Sequence, residues 1–248
     1  MRALVWLRRL DYTRRYRRRH RDAPRWPEPF YMLHIGKTGG TFTKRILKNP
    51  ESFEAEPVLF VPFGHNIRHD HLPEGARFMF CTRDPVSRFV SGFSSRQRKG
   101  QPTTYREWSR GEAAAFARFE RPDALARALG SDDAETRAAA QAAMAAIKHV
   151  GQPHAAWFPD RTRLARDIAA GRAVRLRQEH LADDLGALLD RLGCRLTPGL
   201  VARLGRPHAN PNPAAAALSA AGQANIAAHY AEDTAFLRWL DETGLPGG

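Results

Sequence analysis

The fold class is decided by residues 30–41, which read Phe30-Tyr31-Met32-Leu33-His34-Ile35-Gly36-Lys37-Thr38-Gly39-Gly40-Thr41. The first six are mostly apolar and lie between Pro29 and Gly36, a pattern that predicts a short buried strand. A glycine turn follows, and the stretch from Phe42 to Leu47 then predicts a helix that ends at Asn49-Pro50. A strand, a tight turn and a helix in this order indicate an α/β unit.

Two more apolar runs, Val58 to Phe63 and Phe78 to Cys81, predict further strands. The second run leads into Asp84-Pro85, an N-cap followed by a first helical residue. The helix that follows has one apolar face, formed by Val86, Phe89, Val90 and Phe93. Strands that alternate with helices predict a central parallel sheet flanked by helices, with ligands bound beyond the carboxyl ends of the strands.

The rest of the chain predicts a mostly helical C-terminal half. An alanine-rich run from Ala134 to Val150 has Asp132 and Glu135 at capping-box spacing. Ala173 to Leu176 is a candidate last strand. A helical stripe of leucines follows, and a terminal helix then has one shared face; the stripe consists of Leu181, Leu185, Leu188, Leu189 and Leu192, and the face of Ile226, Tyr230, Asp233, Leu237 and Leu240.

Composition places limits on the class of protein. The chain has 248 residues, 43% hydrophobic and 26% charged, which predicts a medium-sized globular domain with a real core. Two cysteines, Cys81 and Cys194, exclude a disulfide framework and a four-cysteine zinc site. Neither a membrane-spanning run nor a signal-peptide pattern is present in the sequence, so we expect a cytoplasmic protein, or one peripheral to a membrane.

Most of the positive charge lies at the N-terminus. Residues 1–25 hold ten arginines and two aspartates, so they account for +8 of the net charge of +13 and leave +5 for all other residues. This distribution predicts an Arg-rich arm and linker over residues 1–29 and one domain over residues 30–248. The arm suits acidic membrane lipid, a polyanionic glycan or, as the least favoured partner, nucleic acid. The alternative is a solvated, partly disordered extension.

The glycine turn has the features of a phosphate cradle. Gly39 and Gly40 allow a tight turn, so that amide hydrogens and the helix N-terminus point at an anion, and Lys37 adds a positive charge. The Walker A pattern requires glycine five residues before the Gly-Lys pair, where this chain has Tyr31. The turn is therefore not a Mg-nucleoside-triphosphate loop, and a plain connection between strand and helix is the alternative.

A second motif, Arg83-Asp84-Pro85-Val86-Ser87-Arg88-Phe89-Val90-Ser91-Gly92, follows the third predicted strand. Arg83 lies at the strand tip, while Ser87 and Ser91 share the helix side opposite the apolar face. An arginine fork and a hydroxyl on a capped helix predict a second anion site. Two anion sites at neighbouring strand ends suit a nucleotide with phosphates on both sides of its ribose.

On these motifs the chain resembles the 3′-phosphoadenosine 5′-phosphosulfate-dependent sulfotransferases, in their carbohydrate (glycan) branch. His34 to Thr41 resembles the family's 5′-phosphosulfate loop, although Gly36 stands where proline is usual and Phe42 where serine is frequent. Arg83 to Gly92 resembles the 3′-phosphate motif, whose Arg and Ser are eight positions apart, as here. Gly64-His65 resembles a step that supplies the base in some members, and weaker similarity extends the match to residues 30–240.

The resemblance implies a P-loop-like sulfotransferase fold and the transfer of a sulfuryl group from the phosphosulfate nucleotide to a hydroxyl of a carbohydrate or another acceptor, without a metal. It assigns the co-substrate to Lys37, Thr38, Gly39, Gly40, Thr41, Phe42, Arg83 and Ser91. It assigns catalysis to Lys37 and to His65 as the base. Glu54 and Glu56 are competing bases, and a structural role for His65 is the third possibility.

Two other functions stay open at this point: a catalytically inactive nucleotide- or polyanion-binding module, and a Mg-dependent kinase. A metal site at His65, His69, Asp70 and His71 is disfavoured because their spacing matches no standard site. Other side chains have two interpretations each, either ligand contact or ordinary packing and surface charge: Arg96, Arg98, Lys99, His149, His154, Trp157, Arg203 and Arg206.

Overall fold

The computed structural model of the protein describes residues 1–102, 104–199 and 217–245. These residues form two compact units. Unit 1 contains residues 1–82, 156–199 and 239–245, and unit 2 contains residues 83–102, 104–155 and 217–238. The candidate cations Arg203 and Arg206 and the loop around Asn210 lie outside the described residues.

The strands belong to unit 1: β1 (Pro29–Leu33), β2 (Phe53–Ala55), β3 (Leu59–Pro62), β4 (Arg77–Thr82), β5 (Ala173–Arg177) and β6 (Arg195–Leu196). Four of them form a parallel sheet in the order β3-β1-β4-β5, and β2 pairs with β6 in a small antiparallel ribbon. The four strands of the parallel sheet were all predicted from apolar runs. Such runs are typical of parallel strands because both faces of the sheet are covered.

The helices in the described part of the chain are α1 (Arg2–Arg19), α2 (Gly40–Lys48), α3 (Pro85–Gln97), α4 (Arg110–Arg118), α5 (Pro122–Ala128), α6 (Ala134–Ala146), α7 (Arg161–Ala169), α8 (Leu181–Arg191), α9 (Ala220–His229) and α10 (Ala231–Glu242). In unit 1, the apolar sides of α2 and α8 pack on one face of the sheet around Met32, Met79 and Leu176. The protein is therefore an α/β protein whose parallel sheet is flanked by helices, as predicted.

The connections of the sheet create a switch point beside β1. The chain passes from β1 to β3 on one side and then returns to β4 on the other side. Connections that leave neighbouring parallel strands in opposite directions open a crevice at their carboxyl ends, where α/β proteins bind ligands. The loop after β1 and the last residue of β4, Thr82, lie at this edge.

Unit 2 is built from helices packed around an aromatic and aliphatic core that includes Phe89, Phe93 and Phe116. Helix α3 begins as predicted, since the Asp84 carboxylate accepts a hydrogen bond of 2.8 Å from the amide of Ser87. Its predicted apolar face is confirmed, because Phe89 and Phe93 lie in this core and Val86 and Val90 pack against it.

Three features of the helices differ from the sequence prediction. The cap of α6 is Asp133, not Asp132, and the helix ends at Ala146 because the amide of Lys148 donates to the carboxylate of Glu112. The single terminal helix predicted through Ile226 and Leu240 is in fact two helices, α9 and α10, separated at Tyr230. The Tyr230 hydroxyl donates to the carbonyl of Val150, which anchors the break.

The N-terminal segment is a packed helix rather than a disordered extension. Helix α1 buries Val5, Thr13 and Tyr16, and the Tyr16 hydroxyl donates to the carbonyl of Glu56 at 3.0 Å. Arg19 forms an ion pair of 2.9 Å with the Glu56 carboxylate. The domain boundary after residue 29 stays a prediction. Within the described ranges, no helix combines the length and the hydropathy needed to cross a membrane.

Candidate functional site

The loop between β1 and α2 has the backbone geometry of an anion cradle. Lys37 and Gly39 both have left-handed backbones, with φ of 67° and 86°. Left-handed residues next to right-handed ones turn successive amides toward one side of the chain. The amides of Gly40 and Thr41 open helix α2, where geometry leaves them no carbonyl of the helix to bond. The loop can therefore present several N–H groups and a helix N-terminus to one anion.

Both glycines of the turn are required by close packing. A Cβ on Gly40 would lie 2.3 Å from the Cδ2 atom of His34. A Cβ on Gly39 would lie 2.5 Å from a methyl carbon of Leu181, in addition to the cost of a left-handed backbone. The loop thus wraps closely around neighbouring side chains, and this explains why glycine occupies both positions.

Lys37 occupies a backbone conformation that disfavours side chains. A left-handed residue other than glycine costs roughly 1–2 kcal/mol. Residues with strained backbones are more frequent at functional sites, where the surrounding structure holds them in place. Lys37 is half-buried at the carboxyl edge of the sheet, and it shares its left-handed backbone with Lys99 and His149 among the described residues other than glycine.

Of the other predicted residues of this loop, two are buried and support its conformation, and one is exposed. Thr38 is fully buried, and its hydroxyl donates to the carbonyl of Ile35 at 3.0 Å, so it closes the loop. Phe42 packs in the core, and its amide donates to the carbonyl of Gly39 at 3.0 Å. Thr41 is exposed at the helix start. The amides of Gly40 and Thr41 are thus better placed for an anion than that of Phe42.

His65 lies beside this loop. It follows β3, which ends at the same edge of the sheet as β1, and its ring centroid is 4.0 Å from that of His34. The His65 Nδ1 atom is 3.0 Å from the carbonyl oxygen of His34. A carbonyl oxygen only accepts, so Nδ1 is the donor in this contact, and Nε2 is the ring atom that a general base would use.

The competing glutamates lie at the other edge of the sheet, because they precede β3. Glu56 is buried, and its carboxylate lies 2.9 Å from Arg19 and 3.3 Å from His20. These contacts hold the end of α1 against the segment that precedes β3. Glu54 is exposed on β2. Of the three candidate bases, His65 is the one that the sheet places next to the glycine turn.

In unit 2, the Arg83 motif is supported by buried polar groups. The Arg83 amide donates to Nε2 of His154 at 3.4 Å, and Nδ1 of His154 lies 2.8 Å from the Asp233 carboxylate. His154 and Asp233 are fully buried, and Arg88 lies 3.7 Å from Asp233. Burial by itself raises the pKa of Asp233, but the hydrogen bond from His154 and the charge of Arg88 bring it below its usual value.

This network holds the backbone of Arg83 next to an open cavity of about 520 Å³. The cavity is lined by Arg83, Asp84, Val86, Ser87, Val90, Leu218 and Gln223. Ser91 lies one turn beyond Ser87 on α3 and is half-exposed. Because Arg83 and Ser91 belong to unit 2 and the glycine turn belongs to unit 1, the expectation that both segments hold one nucleotide stays a prediction.

Sequence reasoning missed the supporting role of His154, Asp233 and Arg88. Of the two interpretations of His154 and Trp157, core packing and an acceptor cleft, burial of both side chains supports packing. The sequence pattern places Asp233 on the same helix face as Ile226 and Tyr230, and all three are buried. An aspartate on a helix face that the pattern places in the core indicates a buried polar network, because a buried carboxylate requires hydrogen-bonding or charged partners.

Other interpretations are decided by packing. Arg96 is not an acceptor contact: it is buried and donates two hydrogen bonds, of 2.6 and 2.9 Å, to Glu112. His69 is buried against Asp167 at 2.7 Å. Cys81 is confirmed as inert core filling, since burial raises the pKa of its thiol to about 12. Among the described residues there is no group of three or more His, Cys, Asp or Glu arranged to hold a metal ion.

Comparison of the chain with protein-family models, with curated proteins and with solved structures finds no match in any of the three.

Proposed function

We propose that the protein is a sulfotransferase with a P-loop-like sulfotransferase fold, which moves a sulfuryl group from 3′-phosphoadenosine 5′-phosphosulfate to a hydroxyl, preferentially of a carbohydrate. The observation that carries the proposal is the β1–α2 loop: a strained Lys37 and two sterically required glycines at a switch point of a parallel sheet, with His65 beside them. The resemblance of this loop and of the Arg83 motif to the family's two phosphate motifs supplies the identity of the ligand.

Each residue has a stated task in this proposal. The amides of Gly40 and Thr41 and the Lys37 ammonium bind the 5′-phosphosulfate and stabilise the charge that builds on the leaving phosphate oxygen. Arg83, positioned through His154, binds the 3′-phosphate together with Ser91. The sulfur–oxygen bond to the phosphate breaks as the acceptor oxygen bonds to sulfur, and Nε2 of His65 takes the acceptor proton.

Binding of the desulfonated product, adenosine 3′,5′-bisphosphate, is the first test. One charge-assisted hydrogen bond is worth about 1.5–3 kcal/mol, so Lys37→Ala and Arg83→Ala should each weaken the calorimetric affinity by about 10–100-fold. Lys48→Ala, an exposed lysine at the end of α2, and Arg110→Ala, an exposed arginine of unit 2, are controls with the same charge change. Equal affinities for variants and controls would refute the assignment.

Turnover is the second test, and it separates an enzyme from a binding module. Transfer of radiolabelled sulfate to a panel of glycans should require no added nucleoside triphosphate. His65→Gln should leave bisphosphate affinity unchanged and lower turnover by about 10²–10⁴-fold, since the amide is not a base. Unaltered turnover in His65→Gln would assign the base elsewhere. A preference for Mg-ATP over the bisphosphate would favour the kinase alternative.

A further inference from the structure

Helix α1 exposes a stripe that its packing against the sheet does not use. Val5, Thr13 and Tyr16 face the protein. A second stripe, spaced at three or four residues and therefore on one side of the helix, consists of Leu7, Leu10, Arg14, Arg17 and Arg18. This stripe is apolar at the N-terminal end of the helix and basic at its C-terminal end.

The apolar end is unusually exposed. In the part of the chain that the structure describes, six large hydrophobic side chains are exposed, and four of them lie at this end of the chain: Met1, Leu4, Trp6 and Leu7. Trp6 and Leu7 are 59% and 56% exposed. Apolar residues concentrated in this way mark a surface for a partner or a membrane, unlike single scattered ones.

The basic end forms a concave site. A cavity of about 430 Å³ lies between the second half of α1 and the segment that follows it. Its described lining contains four arginines and no carboxylate, and it comprises Leu10, Thr13, Arg14, Arg17, Arg18, Arg25 and Trp26. Arginines in the last helical turn complement the helix dipole, but this does not explain Arg25 or the exposed tryptophans. Four guanidinium groups around one cavity suit a phosphate ligand.

We propose that this surface docks on an anionic lipid bilayer, with lipid phosphates in the arginine cavity and with Trp6 and Leu7 in the boundary between headgroups and acyl chains. A soluble polyanion would neutralise the arginines but would leave the apolar end of the stripe in water. An anionic bilayer offers both a negative surface and an apolar layer, which is what basic helices with exposed Trp and Leu bind. This inference is independent of the proposed sulfuryl transfer.

Vesicle flotation of the full chain tests the proposal. Vesicles of phosphatidylcholine with about one third phosphatidylserine should bind the protein, whereas vesicles of pure phosphatidylcholine should not, and high salt should weaken binding. Each arginine near such a surface strengthens binding about fivefold, so Arg14→Gln/Arg17→Gln/Arg18→Gln should lower the partition constant about a hundredfold. Trp6→Ser/Leu7→Ser should lower it about tenfold or more.

The control is a triple variant of exposed arginines elsewhere, Arg121→Gln/Arg166→Gln/Arg191→Gln, which has the same net charge as the α1 triple variant and should bind as the wild type does. A measurement on the wild type avoids any folding defect: brominated phosphatidylserine vesicles should quench tryptophan fluorescence. Absence of quenching, or equal losses in the two triple variants, would overturn the proposal. Vesicle binding that Trp6→Ser/Leu7→Ser leaves unchanged would also overturn it, because the arginines alone would then account for the attraction.

Discussion

Replacing Gly40 by alanine tests how tightly the candidate loop is built. The new Cβ would lie 2.3 Å from Cδ2 and 2.7 Å from Nε2 of His34, whereas ordinary van der Waals contact begins at 3.4 Å. His34 is buried and its ring lies against that of His65, so it has little room to move away. Overpacking of this kind destabilises a protein by about 1–3 kcal/mol. We expect the free energy of unfolding to decrease by about 2 kcal/mol.

Thermal unfolding followed by circular dichroism measures this loss. For a chain of this size, about 2 kcal/mol corresponds to a decrease in Tm of roughly 4–8 °C. Gly186→Ala is the matched control, because a Cβ at this position in α8 meets no atom within 4 Å. The same chemical change should there raise the stability by about 0.5–1 kcal/mol through helix propensity alone.

The two substitutions should therefore shift Tm in opposite directions. A Gly40→Ala variant as stable as the wild type would refute the steric reasoning. The double variant His34→Ala/Gly40→Ala lacks the ring that the new Cβ would meet, so the losses of the single variants should not add. Additive losses would show that Gly40 and His34 act independently.

Three further outcomes are expected. Asp233→Asn removes the carboxylate that orients His154, so affinity for the bisphosphate should fall about tenfold. In the Arg83→Ala background the same substitution should cause no further loss. Calorimetry of the wild type, both single variants and the double variant would contradict this if the two losses of affinity multiplied. Burial lowers the pKa of His69 below its usual value, so between the folded and unfolded pKa values the unfolded chain binds more protons. The stability that this group contributes is therefore complete above about pH 6.5 and is lost as the pH falls. In His69→Gln, the free energy of unfolding measured with urea should decrease less steeply below about pH 6.5 than it does in the wild type. Cys81, with a thiol pKa raised to about 12, should resist alkylation in the folded protein, and rapid native-state labelling would contradict its burial.

The elements that the sequence predicted well are those encoded by neighbouring residues. The strand, turn and helix of residues 29–48 follow from an apolar run, two glycines and an amphipathic stretch, and the structure places them as expected. The Asp84-Pro85 helix start is also local, because a cap needs only the amide three residues ahead.

The errors arose where residues far apart in sequence compete. Helix α6 ends before Val150 because Glu112 takes the amide of Lys148, and no pattern near residue 148 encodes that contact. The predicted arm is a packed helix because Glu56 accepts contacts from Tyr16 and Arg19, about 40 residues away. Local propensity is a weak prior that such tertiary contacts override.

The sequence by itself determined the α/β class, the glycine turn and the charged N-terminal segment, since each depends on residue types that are close together along the chain. Only the tertiary structure decided that His65, and neither glutamate, stands beside that turn. The physical reason is the strand order: β3 pairs with β1 in parallel, which brings the end of β3 to His34 and leaves Glu54 and Glu56 at the opposite edge. Strand order depends on how the apolar faces of all strands and helices pack together, and no single stretch of residues specifies it.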